Sequence, residues 1–319
     1  MHDGDLPLNR ALIIAKKEFK DHVSDHTFLL SFATLLIVMV GGAFFMIQYV
    51  QWGTFRDPKI VDIWKEYDVL FTELVTGQLS SIGVLLAAAM SISAIQKERS
   101  DGSLKVLLSY PLYRDNLFMG KLVGGVLVLS LVATVSMVIS FSLLIFYLSI
   151  PLNLDFLLRI LFTTFAAVML LVFFLCVGMI ISSILNDTTS ILLGLVLIIA
   201  LLRYETFKVI LVAAINLLSH FGLRLQKPGF HPRFLERDVW YDPFYRNFCR
   251  LSPIESYLKL SERTFHLQCD SISSIYDASP VTPFQELLGA NLDLLAVQII
   301  FTFAAVAACY YISTRRELG

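Results

Sequence analysis

The sequence has little charge. Of 319 residues only 16% are Asp, Glu, Lys or Arg, against roughly a quarter in ordinary soluble domains. The two signs nearly balance, 25 Lys+Arg to 26 Asp+Glu, for a net charge of −1. Phosphate recognition needs a concentrated positive surface, so a nucleic-acid-binding role is disfavoured. Cysteine is sparse too, and four in a chain this long exclude a disulfide scaffold. What is abundant is apolar: 56% of residues, with a mean hydropathy of +0.71. That excludes intrinsic disorder, and it is more than a soluble protein of this size readily buries.

Catalytic constellations are missing as well. Gly120-Lys121 is followed by Leu122, and Asp115 stands where a Walker A loop begins with glycine, so no P-loop binds ATP here. There is no GxSxG elbow. His22 and His26 are spaced to share a helix face, but Val23 stands where a zincin needs its Glu. No metal site is expected, no cofactor bound by this chain, and no enzymatic activity of its own.

The apolar residues come in membrane-length blocks. About 20 apolar residues cross a hydrocarbon core, and five stretches free of Asp, Glu, Lys and Arg reach that length: Thr27 to Val50, Leu74 to Gln96, Leu122 to Leu154, Ile160 to Asn186 and Leu294 to Thr314. Another, Thr188 to Leu202, is short and runs into Arg203, Glu205 and Lys208, after which Val209 to Leu223 is apolar again. Either a short span ends near Leu202 and an amphipathic helix follows at the interface, or one long helix carries the charged cluster inside the protein. Charges at mid-bilayer cost about 2.5–3.5 kcal/mol each on insertion scales, which favours the short span. Both readings give an all-α polytopic membrane protein with six transmembrane helices. The first block starts too late and runs too long for a signal peptide, so it is read as a retained anchor.

Orientation follows the Lys/Arg bias of short loops. Arg10, Lys16, Lys17 and Lys20 precede span one; Lys97, Arg99, Lys105, Arg114 and Lys121 lie between spans two and three; Arg315 and Arg316 follow span six. Both termini are therefore expected in the cytoplasm. Cys176 and Cys309 read as packing residues within spans. Cys249 and Cys269 share the outer segment, where a disulfide is chemically feasible. The sequon Asn186-Asp187-Thr188 falls on the inner side and is expected to be silent.

Four parts follow. Residues 1–26 hold an amphipathic helix, with Leu8, Ala11, Leu12, Ala15 and Phe19 at helical spacing. Residues 27–217 hold spans one to five, with a short helix at 103–110. Residues 218–290 form an extracytoplasmic cap between spans five and six, rich in Pro and in aromatics such as Trp240 and Tyr241. Residues 291–319 hold span six and the tail. Small residues such as Gly120-x-x-x-Gly124, Gly125 and Gly41-Gly42 suit close helix contacts, more simply within one subunit than between two.

The inner loop between spans two and three is the most informative segment. Gly102 suits the left-handed turn that ends a helix, and Ser103 can cap the next. Leu104, Leu107 and Leu108 make one apolar face on a short helix that Pro111 stops. Such a helix, held between two rigid spans, either plugs a groove on a soluble partner or lies on lipid headgroups. The stretch from Glu98 to Lys121 resembles the pattern Glu-Arg/Lys-x-x-Gly-Thr-Leu…Leu-Leu-x-x-Pro…Arg…Gly-Lys of ABC-2-type transporter permeases. Ala15-Lys16-Lys17-Glu18-Phe19 is similar to the segment that opens those proteins, and Leu251-Ser252-Pro253 to a turn before their last span. Ser103 stands where Thr is usual, and Lys105 where an acidic residue is common.

The resemblance implies a membrane subunit paired with a second permease, as a homo- or heterodimer, above two separate ATP-binding cassette subunits that carry ATP and Mg2+. It assigns the energy-coupling contact to Glu98, Gly102, Ser103, Leu104, Leu107, Leu108, Pro111 and Arg114, and the connector helix to Lys16, Glu18 and Phe19. The expected setting is the plasma membrane of a prokaryote. The expected function is ATP-driven export of an amphiphilic or hydrophobic substrate, suited to spans without charge. The alternative is a subunit that transports nothing and relays force to an extracytoplasmic partner.

Overall fold

A computed structural model describes residues 7–56, 75–100, 111–148, 152–185, 187–203, 251–265 and 284–315. Among them every regular element is helical. In chain order these are α1 (Pro7–Ser24), α2 (His26–Arg56), a π-helical turn (Leu79–Gly83) running into α3 (Val84–Ser100), α4 (Pro111–Leu148) and α5 (Leu154–Ile184). There follow α6 (Thr188–Leu202), α7 (Pro253–Thr264), α8 (Phe284–Ala290) and α9 (Leu292–Arg315).

Four apolar stretches are long enough to cross a membrane: His26–Phe45, Phe118–Tyr147, Leu154–Ile184 and Leu292–Ile312. They correspond to expected spans one, three, four and six. The remaining two expected spans form shorter apolar helices, Leu79–Ser93 and Thr188–Leu202. In the first of these the π turn interrupts the regular 3.6-residue repeat, a feature that hydropathy does not register.

The centre of the bundle is α5, which packs against α3, α4, α7 and α9. It is largely apolar: Ala166, Ala167, Leu170, Leu171, Phe174 and Cys176 are buried along it, while Leu157, Leu161 and Phe165 stay exposed nearer its start. By contrast α2 buries one stripe at intervals of four, Leu35, Met39, Ala43 and Ile47, and leaves Leu30, Ile37 and Phe45 exposed. One face packs on α4, and the other is suited to lipid. Small residues set the closest approaches. A Cβ built on Gly178 of α5 would lie 2.8 Å from Ser91 Cβ and 3.6 Å from the Ala88 carbonyl oxygen of α3. One on Gly125 would lie 2.9 Å from Leu175 Cδ2. These contacts lie within a single chain, as expected for close-packed membrane helices.

One boundary differs from the sequence reading, and a second falls where the short-span reading put it. Helix α5 starts at Leu154 rather than Ile160, so Asp155 and Arg159 lie in its first turns instead of a loop. The apolar run around Leu202 ends there, with Arg203 as the C-cap of α6. Helix α7 begins beside that end: Ser252 caps it by accepting from the Glu255 N–H at 3.3 Å, and its hydroxyl also donates to the Leu202 carbonyl. Pro253 at the first helical position suits that start, since its missing N–H would have had no helical partner. Residues 204–208, most of the outer segment, Cys249 and Cys269 lie outside the described residues.

Candidate functional site

Of the residues assigned to the energy-coupling contact, Gly102, Ser103, Leu104, Leu107 and Leu108 lie outside the described residues. The backbone around them is described. Glu98 falls in the last turn of α3, Pro111 is the first residue of α4, and Arg114 lies in its first turn. The two helices that flank residues 101–110 both run into the bundle. The turn between α5 and α6 is tied to the end of α3, where the Thr188 hydroxyl donates to Gln96 Oε1 at 2.9 Å.

Helix α1 lies against the start of α4, its most extensive neighbour. The approach depends on Gly124. A side chain there would sit 2.8 Å from Glu18 Cβ and 3.1 Å from the Ala15 carbonyl oxygen, so only glycine lets the two backbones come this close. Ala15 is buried in the contact, and Phe19 packs half-buried against the core. One turn before Gly124, Lys121 Nζ meets Glu18 Oε1 at 3.1 Å, with side-chain exposures of only 7% and 13%. Lys16, Leu12 and Ile13 stay exposed, so of its expected apolar stripe α1 buries Ala15 in protein and presents Leu12 outward. His22 follows one turn after Glu18. Burial holds its pKa below the usual 6.5, opposed by Glu18 and reinforced by Lys121.

A second polar cluster sits at the far end. Arg159, 1% exposed, donates through Nε to Asp155 Oδ2 at 2.7 Å and through Nη1 to the Thr264 carbonyl at 2.5 Å. The other Asp155 oxygen accepts the Phe284 N–H at 2.7 Å. One ion pair thus joins the first turn of α5, the C-terminal end of α7 and the N-terminal end of α8. Beneath it Phe141, Phe156 and Phe265 pack with centroids 4.9–6.2 Å apart. Arg263 Nη1 adds a bond to Asn291 Oδ1 at 3.2 Å.

Sequence reasoning assigned Glu18 and Phe19 to the connector helix, and the structure sets Glu18 against Lys121 near the start of α4. It missed the partner of Glu18 and the burial of Arg159. The signal for the first was present: a lysine next to a Gly-x-x-x-Gly repeat, with Ala15 and Glu18 three apart on a helix. Nothing in the sequence marked the second, because Asp155 and Arg159 at i, i+4 become a pair only once α5 starts early. Among the described residues no group of His, Cys, Asp or Glu could hold a metal ion.

No curated protein matches the chain. A comparison with protein families matches residues 12–318 to the family described as ABC-2 family transporter protein. That match covers nearly the whole sequence, from α1 to the tail after α9. Together with four helices long and apolar enough to cross a membrane, it shows that the chain belongs to the ABC-2 family and is a membrane component of an ABC transporter.

Proposed function

We propose that this chain is the permease subunit of an ATP-driven exporter, moving an amphiphilic or hydrophobic substrate across the plasma membrane of a prokaryote. Separate ATP-binding subunits hydrolyse ATP with Mg2+, and a second permease, identical or related, completes the path. Six crossings carry it, the two shorter ones being the π-interrupted helix that ends in α3, and α6. Both termini and the 101–110 loop face the cytoplasm, and residues 218–290 face outward. Leu104, Leu107 and Leu108 dock on the ATP-binding subunit; Glu98, Gly102, Ser103, Pro111 and Arg114 shape the contact.

The observation that carries this reading is the attachment of α1 to α4 just beyond that loop, through Gly124 and the Glu18–Lys121 pair. A loop pushed from below bears on α3 and α4 at its ends, and α1 moves with α4 because the two are locked. A rigid fork of this kind converts closure of a soluble partner into motion of spans. Replacing Leu107 and Leu108 with Asp is expected to abolish substrate-stimulated hydrolysis by the assembled complex and leave thermal stability unchanged. Full stimulation after that change would refute the assignment of the loop.

The second reading, relay of force to an outer partner without transport, has its own support: α7 is buried and hydrogen-bonded to the residues that lead into α3. Proteoliposomes separate the two. ATP-dependent movement of a fluorescent amphiphile supports export; hydrolysis with no movement supports relay.

A further inference from the structure

We infer that Thr76, Tyr257 and Ser261 form the outer end of a mechanical relay, by which the nucleotide state at the 101–110 loop is passed across the membrane to α7. The inference rests on the permease reading above. It begins from two hydrogen bonds that converge on one residue. The Tyr257 hydroxyl donates to the Thr76 carbonyl at 3.0 Å, and the Ser261 hydroxyl donates to Thr76 Oγ1 at 2.6 Å. All three residues are fully buried. Tyr257 and Ser261 stand one turn apart on α7, so they grip Thr76 from a single face of that helix.

Thr76 lies just ahead of the π turn, in the segment that continues into α3 and ends at the loop. At 1.5 Å per residue, the stretch from Thr76 to Gln96 rises about 30 Å, the thickness of the hydrocarbon core. One continuous element thus joins the loop to α7. The π turn gives that element two arrangements. Passing its extra residue along the helix moves the segment beyond by about 1.5 Å and rotates it by about 100°. Small side chains smooth the motion, because α3 meets α5 at Ser91, Ala88 and Gly178. The C-terminal end of α7 is held by Arg159 of α5 at the Thr264 carbonyl, and its N-terminal end is tied to α6 by the Ser252 hydroxyl at the Leu202 carbonyl. A helix gripped by a shifting span between two such ties is strained when that span moves, and its backbone hydrogen bonds register the change.

The test uses the full complex in lipid nanodiscs with its ATP-binding subunits. Hydrogen exchange of the peptide covering 253–264 is compared between nucleotide-free and vanadate-trapped states, in the wild type and in Tyr257→Phe/Ser261→Ala. The wild type is expected to show a nucleotide-dependent difference. Each hydrogen bond is worth a factor of about 2 to 10 in such an equilibrium, and the variant is expected to lose that much of the difference while still hydrolysing ATP. If the two bonds only stabilise the fold, exchange rises equally in both states and the difference is retained, which overturns the relay. A wild-type complex that hydrolyses ATP with no change at 253–264 overturns it too. Failure of any ATP-binding subunit to engage the chain is a separate outcome, one that removes the permease reading and the relay with it. Should the double variant not assemble, Tyr257→Phe alone is read in the same way.

Discussion

Lys121 stands near the start of an apolar helix where an unpaired ammonium would cost several kcal/mol. Glu18 supplies the counter-charge from another helix, so the pair fixes where α1 sits along α4 even if it adds little net stability. A buried pair of this kind reads as a registry device. Nearby His22 makes that registry sensitive to acid. It faces Glu18, Lys121, Asp25 and Asp21, and burial, the largest influence, keeps it neutral when α1 is docked. With the docked pKa lowered, the docked state is fully favoured above the ordinary value of 6.5 and loses ground as pH falls toward the docked value. Proteolysis of α1 is expected to speed up on acidification from about pH 7.5 to about 5.5, and His22→Gln to remove that dependence. An unchanged rate in the wild type would refute the role of His22.

At the scale of the elements, the α1–α4 contact is limited by space. Gly124→Leu puts a side chain where Ala15 and Glu18 already lie, and such overpacking costs about 1–3 kcal/mol. The expected result is release of α1 with the spans intact: helicity retained, and a carbodiimide crosslink between Glu18 and Lys121, 3.1 Å apart in the unchanged chain, lost. Retention of the crosslink would show that α1 adapts. The spans themselves were legible in advance because long apolar blocks have one physical outcome in a bilayer. Spans one, three, four and six needed no tertiary information. The early start of α5 was hidden because Arg159 reads as a loop charge until Asp155, the Thr264 carbonyl and burial are all in place. The π turn was hidden for a different reason. It changes the helical repeat over five residues, Leu79 to Gly83, too few to alter a periodicity. Helix α7 was half visible: Leu251-Ser252-Pro253 was read as a turn before the last span, but nothing said that a helix would start there, enclosed by α5, α9 and the residues before α3.

For the whole molecule, the up-and-down course of α2 to α9 fixes both ends of the chain relative to the loop. The turn at 185–187 and the end of α3 meet through Thr188 and Gln96, on the side where α1 grips α4. In the proposed topology that side faces the cytoplasm, which suits the excess of Lys and Arg in its short segments. Fusions are expected to report this: a fluorescent protein after residue 319 should fluoresce, and alkaline phosphatase joined near residue 150 should be active. The reverse pattern would invert the proposed topology and remove the loop from reach of any ATP-binding subunit.

Helix α6 has a further consequence. It is 15 residues long, about 22 Å against a hydrocarbon core of about 30 Å. Leu192, Leu193, Val196 and Leu197 are exposed along it. In the proposed topology, where α6 is a crossing, lipid on that face would have to thin to match, drawing headgroups and water inward on that flank. An amphiphile leaving the membrane there would have a shorter climb for its polar end than anywhere else around the protein.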